Sequence, residues 1–352
     1  MKLADFDYNL PAKLIAQEPL AHRTDARLLV LNRLTGEIKH RQFTDIAECF
    51  GEEDCLVLND TRVLKARLFG KKETGGKVEV LLHKELDGDR NEWEVLLNPS
   101  GRIRMGSVLS FQKNGQCLKG AIIDGPSKDS GMRRIRFHGE RNVPMLLDDL
   151  GHVPLPPYID RPDTDIDQEL YQTVFAKFPG AVASPTAGLH FNSTLLEKIK
   201  EKGTEVIFVT LHVGYGTFQP VAVENIEDHN MVSERYEVSS DSAQRLNKAL
   251  SEGRKIIACG TTSLRVLETV VQNAGDGAIR ISEGAGDTAL FIYPSYPFKV
   301  ASGLITNFHL PKTTLVMLTA AFAGQEKLFN AYEEAIRERY RFYSYGDAML
   351  IL

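Results

Sequence analysis

Residues 255–269 read KIIACGTTSLRVLET, and the fold is decided there. The apolar run from Lys255 to Cys259 has the length and composition of a buried strand. It stops at Gly260. Thr261, Thr262 and Ser263 follow, and their hydroxyls suit the exposed N–H groups of a helix start, so a helix is expected to open at Thr262. The same grammar recurs on both sides. AVAS (181–184) reads as a strand before a helix over about 192–202, and EVIFVTL (205–211) as a strand before a glycine-rich loop. A helix over 240–252 leads into the quoted stretch. GLITNF (303–308) leads to a helix opening at Pro311 or Lys312. Residues 27–42 supply strand, turn at Thr35–Gly36 and strand, and CLVLN (55–59) a short buried strand. Strands alternating with helices of about ten residues predict an α/β sheet with helices on both faces.

From Val63 the texture changes. KVEVLLHKEL (77–86), EWEVLL (92–97) and MRRIRFHG (132–139) alternate or are β-rich, and clusters of Gly, Asn, Asp and Ser separate them. Such spacing predicts a small all-β barrel or sandwich. NVPMLLDDLG (142–151) then reads as a short helix, and the proline-rich PLPPYIDRP (154–162) as a connector. The expected architecture is a layered α/β domain with an inserted small all-β barrel domain. Residues 1–62 and 144–352 form the discontinuous α/β domain, and 63–143 the basic barrel.

At 352 residues, with 43% hydrophobic and 25% charged residues, the chain can bury a large core, which excludes wholesale disorder and fibrous rods. The net charge is −5, unevenly spread: residues 62–143 hold 17 Lys and Arg against 10 Asp and Glu, so the remainder carries −12. A basic segment in an acidic protein is a candidate polyanion surface, or else a lysine-rich solvated β surface. The opening MKLADFDYNL lacks the apolar stretch of a signal peptide, and Leu315 to Ala323 falls far short of a membrane span. A soluble, cytoplasmic protein is expected, with Cys49, Cys55, Cys117 and Cys259 as reduced thiols.

In open α/β sheets ligands bind beyond the carboxyl ends of the strands. Four strand ends here carry unusual residues. SPTAGLHF (184–191) offers Thr186, Gly188 and His190; TLHVGYGTF (210–218) offers His212, Gly214, Gly216 and Thr217. CGTTSLRVLET (259–269) offers Thr261 and Thr262 at a helix N-terminus able to hold a carboxylate or phosphate. Arg265 and Glu268, three apart, read as an ordinary surface pair. TNFHLPKTTL (306–315) offers Asn307 and His309. Together these loops bring His190, His212 and His309 toward one sheet edge, where neutral imidazoles suit proton transfer. No metal site is expected, since the carboxylates are not at ligand spacing and no HExxH occurs. Two outlying stretches belong with these. LNDTRVLKARLFG (58–70) places Asp60 and Arg62 at a strand end, and YRFYSYGDAM (340–349) gathers Arg341 with aromatics able either to stack a base or to staple the C-terminus.

At these residues the sequence resembles the S-adenosylmethionine:tRNA ribosyltransferase-isomerase family of queuosine biosynthesis. The matching stretches are FDYNLPAKLIAQEP, LNDTRVLKARLFG, PLPPYI, YQTVFA, PTAGLHF, TLHVGYGTF, GTTSLR, TNFHLP and YRFYSYGDAM, ordered over nearly the whole chain. The chain departs from the family at Thr24 and Ala26, Lys65, Ser184 and Ser295. The resemblance implies an α/β domain carrying an inserted β-barrel. It implies transfer and isomerisation of the ribosyl moiety of S-adenosylmethionine onto 7-aminomethyl-7-deazaguanine in tRNA, yielding epoxyqueuosine-tRNA, adenine and methionine. No cofactor is implied beyond S-adenosylmethionine, which is a substrate. Under this resemblance one of His190, His212 and His309 is expected as base and another as acid, with Asp60 a further base. Thr186, Gly188, Gly214, Gly216, Thr217, Thr261, Thr262, Asn307, Arg62 and Arg341 are expected to bind substrate. The tRNA backbone is expected on Arg102, Arg104, Arg133, Arg134 and Arg136 of the barrel, or alternatively on the α/β face with Arg23, Arg62 and Arg341. A monomer without membrane contact is expected. A non-catalytic RNA-binding protein remains the alternative; a conventional methyltransferase is disfavoured, because residues 27–36 show no glycine-rich loop after the first strand.

Overall fold

The computed structural model describes residues 1–99, 103–113, 115–127, 131–139, 143–218, 220–273 and 279–352. Strands β1 (Arg27–Leu31) and β2 (Ile38–Gln42) form the expected antiparallel hairpin, and β3 (Asp54–Asn59) is buried along its length. After the short β4 (Thr61–Val63) the chain enters the barrel: β5 (Arg67–Lys72), β6 (Lys77–Asp87), β7 (Glu92–Asn98), β8 (Val108–Lys113), β9 (Gln116–Ile122) and β10 (Arg133–His138). The order β10-β7-β6-β5-β8-β9 closes because β10 pairs with both β7 and β9. Two-residue alternation fills the interior: Arg133, Ile135 and Phe137 are buried while Arg134, Arg136 and His138 face out.

Helix α1 (Val143–Leu150) sets Val143, Leu146, Leu147 and Leu150 on one face, and that stripe joins the barrel core. The expected boundary at residue 143 falls before this helix; the packing extends the barrel unit through it. His152 then bridges to Arg67, so the chain leaves the barrel beside the strand by which it entered.

The return runs through α2 (Asp165–Leu170), β11 (Phe178–Ala181), α3 (Ser193–Glu201), β12 (Glu205–Leu211), β13 (Glu234–Val238), α4 (Ser240–Ser251), β14 (Lys255–Cys259) and α5 (Gly260–Val270). A small hairpin of β15 (Val271–Asn273) and β16 (Ile279–Ile281) precedes β17 (Gly284–Thr288), β18 (Gly303–Asn307), α6 (Thr314–Ala323), α7 (Gln325–Arg337) and β19 (Ala348–Ile351). The main sheet has the order β17-β13-β12-β3-β14-β18-β19-β1-β2 among the described residues. Its centre, β12, β3, β14 and β18, is parallel. Both faces are covered. Cys55, Val57, Ile256 and Ala258 pack with α4 to α7, while Leu56, Leu58, Ile257 and Cys259 pack with α3. No helix among the described residues is long and apolar enough to cross a membrane.

Several expectations are corrected. AVAS is not a strand: β11 lies at 178–181, pairs with β4 in a separate two-stranded sheet, and residues 182–184 are buried loop. Helix α5 opens at Gly260, not Thr262, because Gly260 accepts a φ of +87° and the chain turns at once. Cys259 is its N-cap and no side chain caps it; Ser263 Oγ donates back to the Cys259 carbonyl. Helix α6 starts at Thr314, capped by the Thr313 side chain, since Lys312 takes a left-handed φ of +58° that a helix cannot absorb. Strand β19, read only as tail, lies between β18 and β1.

Candidate active site

Strands β14 and β18 are hydrogen-bonded parallel neighbours, so the turns that follow them lie at the same edge of the sheet. A cavity opens between those turns. Its walls are residues 183–187, Val213, residues 260–262, Asn307, His309 and residues 343–344, with Met231, Phe291 and Leu318 on the apolar side. The N-terminal turn of α5 faces this space without a side-chain cap, so its N–H groups are open to a polar ligand. Two hydroxyls of the lining, Ser184 Oγ and Thr262 Oγ1, are buried with no hydrogen-bond partner among the described residues. The Tyr171 hydroxyl approaches the Ser184 N–H and Ser344 without completing a hydrogen bond to either. An unsatisfied buried polar group costs about 1–3 kcal/mol, so these hydroxyls are open to a polar ligand or to water.

His309 is rigidly mounted. Its N–H donates to the Tyr332 hydroxyl at 3.0 Å, and its carbonyl accepts from Tyr8. Thr306 Oγ1 holds Nε2 at 2.7 Å, and among the described residues Nδ1 has no hydrogen-bond partner. Burial pushes the imidazole down to about 3, so the ring is neutral.

His190 stands one residue behind the wall. Asn307 Nδ2 donates to the Tyr343 carbonyl at 3.2 Å, and Thr186 Oγ1 donates to Asn307 Oδ1 at 3.0 Å. These partners fix the amide's orientation, so Asn307 Nδ2 must donate to His190 Nε2 at 3.1 Å. His190 Nε2 is therefore unprotonated. Burial, then the nearby Arg341 and Arg23, push this histidine down to about 3. It is a fixed hydrogen-bond acceptor that orients Asn307, not a stored acid. Arg341 donates to the Glu18 carbonyl, and its Nη1 is buried without a partner.

The remaining candidates separate. His212 lies outside the cavity, with Nδ1 at 2.8 Å from Thr61 Oγ1 and its ring against Gly180, where a Cβ would come within 2.7 Å of it. Burial, then Arg235, lower its pKa. Asp60 is buried at the next strand end and accepts from Thr210 Oγ1 at 2.7 Å; burial raises its pKa. Neither lines the cavity, and neither does exposed Arg62. Thr186 and Thr261 line it; Gly188 packs on Phe175 and Thr173, and Gly216 on Val232. The Thr217 side chain and Arg102 lie outside the described residues.

Arg265 and Glu268 are not a surface pair. Both are buried: Glu268 accepts from the N–H groups of Lys299 and Val300, and Arg265 is ion-paired with buried Glu234. Glu234 Oε1 also accepts the Gly214 N–H at 2.8 Å, so one carboxylate ties α5 to the glycine loop. On the barrel, Arg134 pairs with Asp124 and Arg136 with Glu92, both at 2.5 Å. Arg133 is buried, and Arg104 is exposed.

Sequence reasoning missed Tyr171, Met231, Phe291 and Arg265 as lining residues. Tyr171 stands in YQTVFA and Arg265 in GTTSLR, so each lay within a quoted stretch; Met231 and Phe291 carried no signal.

A sequence profile described as queuosine biosynthesis protein matches residues 3–351. The S-adenosylmethionine:tRNA ribosyltransferase-isomerase of Staphylococcus saprophyticus is 50% identical over 354 residues, covering 100% of both chains. That of Staphylococcus aureus is 51% identical over 353 residues, again covering 100% of both. A crystal structure of S-adenosylmethionine tRNA ribosyltransferase from Thermotoga maritima superposes with a TM-score of 0.55 at 36% identity, covering 99% of this chain and 100% of that one.

Proposed function

Since the chain belongs to the queuosine biosynthesis protein family, we propose that the cavity between β14 and β18 is where it binds and opens its sulfonium substrate. The protein is an enzyme that transfers the ribosyl moiety of S-adenosylmethionine to tRNA and isomerises it. S-adenosylmethionine is consumed as a substrate. Our reading takes 7-aminomethyl-7-deazaguanine in the tRNA as acceptor, with epoxyqueuosine-tRNA, adenine and methionine as products. It takes the working protein as a cytoplasmic monomer.

The observation that carries the site is the set of unsatisfied hydroxyls at Ser184 and Thr262 beside the uncapped start of α5. Those groups, with the α5 N–H donors, suit the carboxylate and ribose hydroxyls of the substrate. Met231 and Phe291 offer apolar surface for a flat heterocycle. A sulfonium acidifies the hydrogens on the adjoining ribose C5′. His309 is neutral with Nδ1 unpartnered, so it can take such a proton. The transfer leaves the donor a neutral ylide and the ring an imidazolium, so the net charge in the cavity is unchanged. A buried imidazole too poorly solvated to hold a proton alone can accept one on those terms. His190 and Thr186 keep the Asn307 amide in one orientation at the same wall.

Mass spectrometry of the protein with S-adenosylmethionine and tRNA bearing 7-aminomethyl-7-deazaguanine tests this. Free adenine, free methionine and a ribosyl-sized gain on the base are expected. Intact donor with folded protein would overturn the reading. Adenine released at the full rate by Ser184→Ala and Thr262→Val at low donor concentration would remove the cavity from it.

A further inference from the structure

We propose that the tRNA backbone is gripped by Arg62 and Lys177 on the small sheet joining the two parts of the molecule, with Phe178 as a stacking surface for one base. The proposal rests on tRNA as the substrate and says where it docks.

Of the described barrel arginines named above, Arg104 alone is exposed without an ion pair, and the other three are poorly placed for phosphate. Arg134 and Arg136 already hold carboxylates at 2.5 Å, and Arg133 is buried. A phosphate arriving there would exchange one anionic partner for another and gain little. Arg62 and Lys177 differ: both are exposed, and among the described residues neither forms an ion pair, Lys177 having only a longer-range attraction to Asp60. Counterion release on contact with RNA is available to such cations.

The small sheet brings them together. Strands β4 and β11 pair in parallel, with Thr61 opposite Phe178 and Arg62 opposite Pro179. Thr61 turns inward to His212, so strand alternation turns Arg62 outward. The N–H groups of Lys177 and Phe178 both donate to the Asp60 carbonyl, at 2.7 and 3.2 Å, which anchors the turn. Lys177 Nζ lies 4.8 Å from the centre of the Phe178 ring, and that ring is 43% exposed. Lys177 borders two grooves, one that it shares with Arg62 and one that it shares with Phe178. A run of cation, cation and exposed aromatic matches single-stranded nucleic acid, whose bases stack and whose phosphates need charge. The location also fits. Beyond Ala181 the chain enters the cavity wall at Ala183 and Ser184, and Val182 N–H donates to the Val213 carbonyl of the glycine loop. A strand of RNA across this sheet lies next to the cavity. Arg62 and Lys177 also border the groove between barrel and α/β sheet, together with Lys65 and Gln172.

The test is the affinity of the full protein for a labelled, unmodified anticodon stem–loop RNA, measured over roughly 50–200 mM salt. Arg62→Ala and Lys177→Ala should each lower the slope of log K against log salt by about 0.7–0.9. The charge-keeping Arg62→Lys and Lys177→Arg should restore it, which loss of folding would not allow. Phe178→Ala should weaken binding about tenfold with the slope unchanged. Arg134→Ala and Arg136→Ala form the comparison. If these lower the slope while Arg62→Ala and Lys177→Ala leave it intact, the proposal is overturned. If wild type releases adenine from the complete substrates while Arg62→Ala and Lys177→Ala keep full RNA affinity, the docking surface alone falls. If wild type binds RNA through these residues but releases no adenine, the ribosyl-transfer reading falls and the surface stands.

Discussion

His309 and His190 show how burial assigns roles to one residue type. Both are neutral, yet only His309 lines the cavity with a nitrogen unpartnered. His309→Ala should lower turnover by about 10²–10⁴ while substrate binding changes little, as single-turnover adenine release would report. Their titration also bears on stability. An unfolded histidine titrates near 6.5, and these two are held at about 3 in the folded protein. Between those values the unfolded chain binds more protons than the native state. Stability is therefore full above pH ~6.5 and falls as pH drops toward ~3, by up to about 1.4 kcal/mol per pH unit for each ring. Urea midpoints of wild type and His190→Gln from pH 7 to 5 check this: the variant should show the shallower loss, and equal slopes would contradict it. His309 was legible at the sequence level because it follows the end of β18, and His190 because it stands in the quoted stretch 184–191, although no strand ends there. Their inequality was not, since it depends on Asn307, Tyr343 and Thr306 closing around them.

At the scale of elements, α5 and β19 mark opposite limits of sequence reading. The strand–glycine–helix unit at 255–270 is written in local pattern, apart from its start at Gly260. Strand β19 is four residues long and gives no periodicity to read, yet it pairs parallel with β1 and antiparallel with β18. Removing residues 348–352 should thus withdraw an interior strand, separate β18 from β1 and abolish cooperative unfolding, visible by calorimetry or circular dichroism. A truncated chain melting like the full one would show that the sheet closes without it. Helix α1 teaches the same point: its apolar stripe was evident, but the surface it covers was not.

Across the whole molecule, the Arg265–Glu234 pair joins α5 to β13 and, through Gly214, to a loop packed on His83 of the barrel. Removing one buried charge leaves the other uncompensated. Glu234→Ala or Arg265→Ala should each cost about 3–5 kcal/mol, while Glu234→Leu with Arg265→Met should cost far less than the two single losses together. Chemical denaturation of the four proteins measures this. Additive losses would mean that the pair does not act as a unit.

By itself the sequence determined the α/β body, the inserted barrel, the strand-end loops and the family. Those features follow from burial periodicity, turn chemistry and ordered local motifs, all expressed over a few neighbouring residues. Tertiary structure alone decided which groups are satisfied. Arg265 finds its carboxylate 31 residues away, and Arg136 finds Glu92 44 away. The hydroxyls of Ser184 and Thr262 find none. A side chain's charge is a local property. Its partner is set by packing between distant segments, and that packing separates the cavity and the unpaired cations beside it from the many similar residues elsewhere in the chain.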